Sequence, residues 1–380
     1  MRVLVLVHEY PPIGGGGGKV AEDICEGLVA RGHSVRVITS HLKGLPSQET
    51  RAGVEIIRLR CGRKYAYKAS FTSMFWYIVS GIFRGLKEIR EWRPDIMHVH
   101  FAVPAGALGY FLYKLTRTGY VLTAHLGDVP GGVPEKTDRW FKLVKPFTPP
   151  IWKNARQIIA VSEFTRGLAQ KAYPLPMQVI PNGIALDEQV ETEITVHHPP
   201  RIVFAGRFVT QKNPLQVIRT LAKLTDLKWH CSIMGDGPLR VDMEREIWNS
   251  GLNDRIELPG WLTPDHVVEE FGESDILFMP SLSEGLPVVG IQAMSKGLAL
   301  VTSSAGGWAD LVKPGQNGFQ FEPMDSDGYA SGLRELLADG NRLEEARRAS
   351  LKLVNDFDLK SIVIRYEQAL SAALITSKVL

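Results

Sequence analysis

The chain of 380 residues has little cysteine and no long apolar run. Its three cysteines, Cys25, Cys61 and Cys231, are too few and too far apart for a disulfide framework or a zinc cage, which favours a reducing, cytoplasmic compartment. No apolar run approaches the ~20 residues of a membrane span, and the opening run at 3–7 is too short for a signal peptide. Apolar residues make up 44% and charged residues 22%, which excludes a disordered or collagen-like chain.

The length predicts two domains, and the charge is unevenly divided between them. Residues 1–185 contain 25 Lys and Arg but 13 Asp and Glu, a net charge of +12. The remainder contains 19 basic and 28 acidic residues, a net charge of −9. This split indicates an anionic partner for the first half, which could be nucleic acid, a phosphorylated substrate or a membrane surface.

The order of apolar runs predicts a fold of strands alternating with helices. The run at 3–7 is typical of a strand buried on both faces, and Gly32 ends the helix that follows, before a strand at 34–38. Further strands are predicted at 95–100, 121–125, 157–161, 202–206, 230–234, 255–258, 276–279 and 298–302, with helices at 214–224 and 287–296. The pattern predicts two doubly wound, Rossmann-like α/β domains. Their expected bounds are 1–185 and 200–359, joined by a linker at 186–199 that runs into a double proline.

Five consecutive glycines, Gly14 to Gly18, lie between the first strand and the first helix. Open α/β sheets bind ligands at this position, where glycines allow backbone amides to approach a phosphate. The run matches neither the P-loop nor the spaced GxGxxG fingerprint. A flexible surface loop is the alternative interpretation.

Two cations and two polar residues follow strands of the second half. Arg207 and Lys212 flank a loop that leads to Asn213, the predicted N-cap of a helix, and together they suit a diphosphate. Glu284 follows a later strand, and Gln292 comes eight residues after it on a helix. Taken singly, each could be an ordinary solvated side chain.

The order and spacing of these motifs identify a family. The motifs are the glycine run and the segments 123–125, 160–163, 179–184, 206–207, 235–238 and 280–293. Over nearly its whole length the chain resembles the retaining glycosyltransferases of family 4, nucleotide-sugar-dependent enzymes of GT-B fold. The resemblance implies two domains facing a cleft, hinge closure on donor binding, and a terminal helix at about 360–380 that returns to the first domain.

The resemblance also implies roles for individual residues. Arg207 and Lys212 would hold the diphosphate of the donor, Glu284 would bind hydroxyls of the donor sugar, and His125 would lie beside the transferred sugar. Gln292 would bind the ribose. The other expected donor-binding positions are Gly15, Gly16, Gly17, Gly206, Leu286, Pro287, Val288 and Val289.

Two positions depart from the family pattern. Gln292 stands where the family has a second glutamate that grips the ribose, and Ala185 stands where an aspartate is frequent. A donor linked to UDP or GDP is expected, and a nucleotide-sugar epimerase or a non-catalytic nucleotide-sugar-binding protein are the alternatives. An epimerase would convert the sugar without an acceptor, and a binding protein would not turn over.

No cofactor and no metal ion is expected. Asp325 and Asp327 resemble an Asp-x-Asp metal motif, but they precede a helix and fit its capping. His98 and His100 fit strand packing, and the histidines at 197–198 fit linker solvation.

The basic residues of the first half are concentrated before one amphipathic helix. Arg58, Arg60, Arg63, Lys64 and Lys68, interleaved with Tyr65 and Tyr67, precede a helix at 71–90. This combination predicts peripheral contact with the anionic inner face of a membrane and an acceptor that is a sugar or a lipid-linked sugar. No nucleic acid is expected, and the alternative is that the helix stripe packs in the core.

Overall fold

The computed structural model describes residues 1–66, 68–132, 144–186 and 194–375. The chain forms two compact units, Met1–Gly183 with Leu359–Leu380 and Ile184–Asp358, called unit 1 and unit 2 below. The linker predicted at 186–199 lies partly outside the described residues. Of its described part, Ile194 is buried and the His197 amide donates to Asp275 Oδ1 at 3.3 Å, both within unit 2.

Unit 1 contains one eight-stranded sheet of order β3-β4-β2-β1-β5-β6-β7-β8. Its strands are β1 Arg2–Leu6, β2 Ser34–Ser40, β3 Gln48–Arg51, β4 Val54–Leu59, β5 Ile96–His100, β6 Tyr120–Ala124, β7 Gln157–Ala160 and β8 Gln178–Val179. All neighbours are parallel except β3 and β4. The apolar run at 3–7 is fully buried because helices cover both faces of the central strands.

The helices of unit 1 include one from the C-terminal end of the described chain. They are α1 Gly16–Ala30, α2 Phe71–Glu91, α3 Ala107–Thr116, α4 Pro149–Lys153, α5 Glu163–Ala172 and α13 Leu359–Ile375. Within the described part of the chain, no helix is both long enough and apolar enough to cross a membrane.

Unit 2 contains one six-stranded parallel sheet of order β11-β10-β9-β12-β13-β14. Its strands are β9 Arg201–Ala205, β10 His230–Met234, β11 Ile256–Gly260, β12 Ile276–Met279, β13 Ala299–Ser303 and β14 Gly318–Phe321. Its helices are α6 Pro214–Leu221, α7 Arg240–Asn249, α8 Pro264–Gly272, α9 Val288–Ser295, α10 Trp308–Leu311, α11 Ser326–Ala338 and α12 Gly340–Leu353. The strand order reverses between β9 and β12, and this switch point is where open α/β sheets bind ligands. The prediction of two doubly wound, Rossmann-like sheets is confirmed.

Two predictions about helix ends have different outcomes. Asp325 Oδ1 accepts a hydrogen bond from the Gly328 amide at 2.8 Å, so the capping interpretation of the Asp-x-Asp motif is confirmed. Asn213 precedes α6 but makes no capping hydrogen bond, because its backbone is left-handed with φ of 52°. Its side-chain Nδ2 instead donates to the carbonyls of Pro280 and Pro323, each at 3.2 Å.

The predicted apolar stripe of the terminal helix is confirmed. Ile362, Tyr366, Leu370 and Ala373 are all buried on α13, which packs on α1 and on the sheet of unit 1. The two helices approach so closely that a Cβ added to Gly27 would overlap Val363. The last helix therefore completes the core of unit 1.

Two histidines of β5 lie inside unit 1. His98 and His100 are buried with ring centroids 4.2 Å apart, and His98 Nε2 lies 2.9 Å from Thr123 Oγ1. Burial lowers the pKa of His98 to about 3 and holds the pKa of His100 well below its ordinary value. Strand packing, as predicted for this pair, keeps both rings neutral near pH 7.

Truncation on the buried face of α13 should destabilise the protein far more than truncation on its exposed face. Leu370→Ala is expected to lower the free energy of unfolding by about 2–5 kcal/mol, because it leaves a cavity in the core. Ile375→Ala, at a side chain that is 67% exposed, should change it by about 0.5 kcal/mol or less. Denaturant unfolding of both variants checks this, and equal effects would contradict the docked helix.

His98 should make the fold sensitive to acid. Because its folded pKa lies below its unfolded pKa of about 6.5, stability is full above that pH and declines as the pH falls towards 3. His98→Gln should therefore lose less unfolding free energy than the wild type between pH 7 and about pH 5. Parallel losses in urea titrations at the two pH values would contradict this prediction.

Candidate active site

The loops after β9 and β12 are joined by an ion pair. Lys212 ends a short 3-10 turn after β9, and its Nζ lies 2.5 Å from Glu284 Oε1 in the loop after β12. Both side chains are mostly buried, with 18% and 9% of their surface exposed. The pair therefore holds the two loops together at the carboxyl edge of the sheet.

Two hydrogen bonds reinforce the joint between these loops. The Leu282 amide donates to the Gln211 carbonyl at 2.8 Å, and Gln211 Nε2 donates to the Ser283 carbonyl at 3.0 Å. The result is a fixed frame around Lys212 and Glu284.

Arg207 stands apart from this frame. It lies two residues after β9, its side chain is exposed, and no ion pair to it occurs among the described residues. Gly206, before it, contacts the stem of Lys212, since an added Cβ would lie 3.7 Å from Lys212 Cδ. The loop after β9 thus offers one free cation and one paired cation.

The start of α9 presents uncapped amides beside Glu284. Pro287 is the N-cap and provides no side-chain hydrogen bond, and the amides of Val288 and Val289 make no hydrogen bond among the described residues. Leu286 and Pro287 are buried and fix the entry to the helix. These amides and the helix dipole favour an anion. Gln292 is half-buried one turn after Val288, on the same face of α9.

The glycines of the neighbouring strand-end loops are required by close packing. A Cβ on Gly235 would overlap the Gly206 carbonyl, and Cβ atoms on Gly306 and Gly307 would overlap the carbonyls of Glu284 and Gly285. The Gly307 amide donates to the Glu284 carbonyl at 3.1 Å. The loops 235–238 and 304–307, which the sequence could not distinguish from plain turns, therefore support the loops that carry Arg207 and Glu284.

In unit 1 the glycine run is partly helical. Gly15 is the N-cap of α1 and Gly16 to Gly18 form its first turn, whereas a loop was expected through Gly18. Gly15 and Gly16 are exposed, and an added Cβ on either would meet nothing within 4 Å. A Cβ on Gly17 would lie 2.6 Å from Phe101 Cζ and 3.5 Å from His125 Nδ1. The glycine run and His125 are therefore in close contact.

His125 is held by stacking and by its backbone. Its ring stacks on Phe101 with centroids 4.3 Å apart, and its amide donates to Asp128 Oδ2 at 2.9 Å. Burial lowers the pKa of His125 to about 4, so its imidazole is neutral near pH 7. Asp128 Oδ1 also accepts from the Ala102 amide at 2.8 Å, and burial raises the pKa of this carboxyl to about 7.

Sequence reasoning did not identify Phe101 or Asp128. Phe101 adopts a φ of 71°, which is rare for a bulky residue and is found mostly where a site requires it. Asp128 joins the ends of β5 and β6 through its two backbone hydrogen bonds. The spacing of Asp128 three residues after His125 is a capping signal that could have identified it.

The predicted site residues thus form one group in each unit. Unit 1 brings Gly17 close to His125, and unit 2 brings Lys212, Glu284 and the start of α9 together. Among the described residues, no group of three or more His, Cys, Asp or Glu side chains is arranged to hold a metal ion.

Two family models together match residues 14–352 of the chain. Glycosyltransferase Family 4 matches residues 14–188, and Glycosyl transferases group 1 matches residues 187–352. A glycogen synthase of Mycobacterium tuberculosis is 27% identical over 402 aligned positions, which cover 98% of this chain and 95% of that protein. An uncharacterized glycosyltransferase of Methanocaldococcus jannaschii is 25% identical, covering 89% and 90%.

Solved structures share the fold at low sequence identity. Sucrose-phosphate synthase of Thermosynechococcus elongatus has a TM-score of 0.83 at 19% identity, with 99% of each chain covered. Anabaena HepE in complex with UDP and glucose has a TM-score of 0.76 at 18% identity, with 98% of this chain and 100% of that chain covered. Matched in both halves by glycosyltransferase models and folded as these enzymes are, the chain belongs to the GT-B glycosyltransferases.

Proposed function

We propose that this glycosyltransferase moves a sugar from a nucleoside diphosphate donor to an acceptor hydroxyl, with retention at the anomeric carbon. The observation that carries the proposal is the frame of Lys212, Glu284 and the start of α9 at the switch point of the sheet of unit 2. A diphosphate needs cations and amide donors together, and both are present there.

In the proposed reaction the bond from the anomeric carbon to the diphosphate oxygen breaks, and negative charge grows on the leaving group. Arg207, Lys212 and the amides of Val288 and Val289 stabilise that charge, which is the largest contribution in this kind of catalysis. The acceptor oxygen bonds to the anomeric carbon on the same face, and its proton passes to the departing diphosphate. Arg207 and Lys212 carry the positive charge, so the proposed reaction needs no metal ion.

Glu284 has two proposed roles. Its Oε1 holds Lys212, and its other carboxylate oxygen is proposed to accept hydrogen bonds from the donor sugar. Gln292 is proposed to meet the ribose through its neutral amide, which offers both a donor and an acceptor. Because Gln292 lacks the charge of a carboxylate, its grip on two ribose hydroxyls is weaker than that of the glutamate in the family pattern.

Unit 1 is proposed to contribute His125 and the start of α1. A neutral imidazole can hydrogen-bond a hydroxyl of the transferred sugar without adding charge near the oxocarbenium-like carbon. The exposed amides at Gly15 and Gly16 are proposed to meet phosphate or acceptor oxygens, because no side chain hinders approach there.

The donor is proposed to be linked to UDP or GDP. Anabaena HepE, which shares the fold, was solved with UDP and glucose, and this supports UDP as the first donor to test. The acceptor is proposed to be a sugar or a lipid-linked sugar of the cell envelope. A putative teichuronic acid biosynthesis glycosyltransferase of Bacillus subtilis, 26% identical over 304 positions, supports this direction.

A panel of nucleoside diphosphates and their sugars should identify the donor. A ligand at 100 times its dissociation constant should stabilise the fold by about 2.7 kcal/mol, seen as a thermal shift. The matching donor should then release nucleoside diphosphate only when an acceptor is present, and NMR should show the donor's anomeric configuration in the product. Conversion of the donor without acceptor would indicate an epimerase, and inversion in the product would contradict the retaining mechanism.

Removal of either cation should impair transfer more than it impairs folding. Arg207→Ala and Lys212→Gln are each expected to lower kcat by about 10²–10³-fold, because charge on the leaving group loses a preorganised partner. Arg245→Ala, a similarly exposed arginine on α7, is the matched control and should leave kcat unchanged. Steady-state kinetics measure kcat for each variant, and thermal unfolding checks that the variants fold. Wild-type rates in both variants would overturn the phosphate site.

A further inference from the structure

Helix α2 has a buried face and an unburied aromatic face. On the buried face, Tyr77, Gly81 and Gly85 lie against the core, and a Cβ on either glycine would press on the side chains of α3. On the other face, Trp76 and Phe83 are 54% and 72% exposed. They are seven residues apart and so lie on the same side of the helix, two turns apart.

A third aromatic side chain extends this face. Phe75 is 58% exposed, and its ring lies edge-on to that of Trp76 with centroids 5.6 Å apart. Single exposed apolar residues are common on protein surfaces, but a group of large aromatics on one helix indicates an interaction surface. Phe75, Trp76 and Phe83 are called the aromatic face below.

The sequence predicts one apolar stripe on this helix that includes Phe75 and leaves Trp76 and Phe83 off or beside it. Ile78, Ile82, Leu86 and Ile89 are partly buried and pack on the core of unit 1. Phase along the helix separates Trp76 and Phe83 from these aliphatic residues. Phe75 shares their phase but is 58% exposed, so core packing leaves all three aromatic rings uncovered.

The basic residues near this face are fewer than the sequence suggested. Arg58 and Arg63 are buried and form ion pairs with Glu49 and Glu9, so they are not available to a partner. This corrects the expectation that the whole basic segment faces an anion. Tyr67 of that segment lies outside the described residues.

The cations that are available lie at both ends of α2. Lys64 and Lys68 precede the helix, are exposed, and form no ion pair among the described residues. Lys87 and Arg90 follow at its other end, also exposed, with Lys87 only 3.9 Å from Glu91 as a weak surface pair. An aromatic strip bordered by lysine and arginine has the charge and polarity of a helix that lies in a lipid headgroup layer.

We propose that unit 1 docks on an anionic lipid surface through the aromatic face of α2, with Lys64 and Lys68 binding headgroups beside it. Aromatic rings insert at the boundary of headgroups and acyl chains, and cations next to them are attracted to the negative leaflet. A protein partner would require a complementary acidic surface, whereas an anionic bilayer supplies negative charge at both ends of the helix.

The docking surface is joined to the glycine run of the candidate active site. Arg63 Nη2 donates to the Ala66 carbonyl at 2.9 Å, and the Gly14 amide donates to the same carbonyl at 2.9 Å. Arg63 Nη2 also lies 3.0 Å from Glu9 Oε1. Glu9 in turn packs against Gly14, where an added Cβ would lie 2.6 Å from Glu9 Cβ. Docking through Lys64 and Lys68 therefore brings the start of α1 to the lipid surface. The placement of α1 at the lipid surface matters only if the proposed function is right, because a lipid-linked acceptor would then meet the enzyme at the start of α1.

Vesicle co-sedimentation at low salt, without donor or acceptor, tests the docking. Phosphatidylcholine vesicles that contain phosphatidylglycerol should pellet the protein, and phosphatidylcholine alone should not. The double variant Trp76→Ser with Phe83→Ser should lower the partition coefficient at least about tenfold, because two aromatic side chains no longer leave water. Lys64→Gln with Lys68→Gln should lower it about fivefold per lysine.

Trp248→Ser is the matched control, since Trp248 is 73% exposed on α7 of unit 2, and it should pellet like the wild type. All substituted side chains are exposed, so unchanged thermal unfolding is expected and confirms that the variants fold. A wild type that stays in the supernatant, or an aromatic double variant that pellets equally well, overturns the proposal. Because no sugar transfer is measured, failure here leaves the proposed reaction intact, and failure of the reaction leaves the docking intact.

Discussion

The ion pair between Lys212 and Glu284 is the interaction on which the candidate site depends. Both groups are mostly buried, so solvent screens their attraction only weakly. The loops after β9 and β12 must therefore stay together, which keeps Arg207 and the start of α9 at one edge of the sheet. A diphosphate that approaches Lys212 meets a lysine whose position is already set, so little ordering is required on binding.

Close packing of glycines against neighbouring backbone carbonyls also shapes the carboxyl edge of the sheet in unit 2. Gly235 lies against the Gly206 carbonyl, and Gly306 and Gly307 lie against Glu284 and Gly285, at separations that no side chain permits. In unit 1, Gly17 has the corresponding role beside Phe101 and His125. Glycine in both units thus leaves the ends of the strands open to a ligand while the neighbouring loops support one another.

Much of the fold could be predicted because the parallel strands are apolar throughout. The helices that follow them repeat their apolar residues every three to four positions, which is also recognisable in the sequence. The predicted strands at 230–234 and 276–279 match β10 and β12, and most others differ by one or two residues at an end. Strands β3, β4, β8 and β14 were not predicted. For β3 the reason is that its residues, Gln48–Arg51, are polar and pair only at the antiparallel edge. The helical start at Gly16 was missed because glycine has a low helix propensity, which the packing of α1 overrides.

The order and spacing of the motifs, rather than residue type alone, singled out Arg207, Lys212 and Glu284, and the structure joins Lys212 and Glu284 in an ion pair. The sequence could not predict the contact between Phe101 and His125, because these two residues meet only where β5 and β6 are adjacent. Charge was the least reliable guide, since Arg58 and Arg63 are buried inside unit 1, where they form ion pairs with glutamates. A count of basic residues cannot distinguish these structural pairs from cations that meet a partner.

The central claim is that the edge between β9 and β12 holds the diphosphate of a nucleotide-sugar donor. The most direct measurement is a crystal structure with the nucleoside diphosphate that gives the largest thermal shift. The account predicts that the diphosphate oxygens lie within hydrogen-bond distance, about 2.7–3.2 Å, of Arg207, Lys212 and the amides of Val288 and Val289. A nucleotide bound with its phosphates away from these groups would contradict the account.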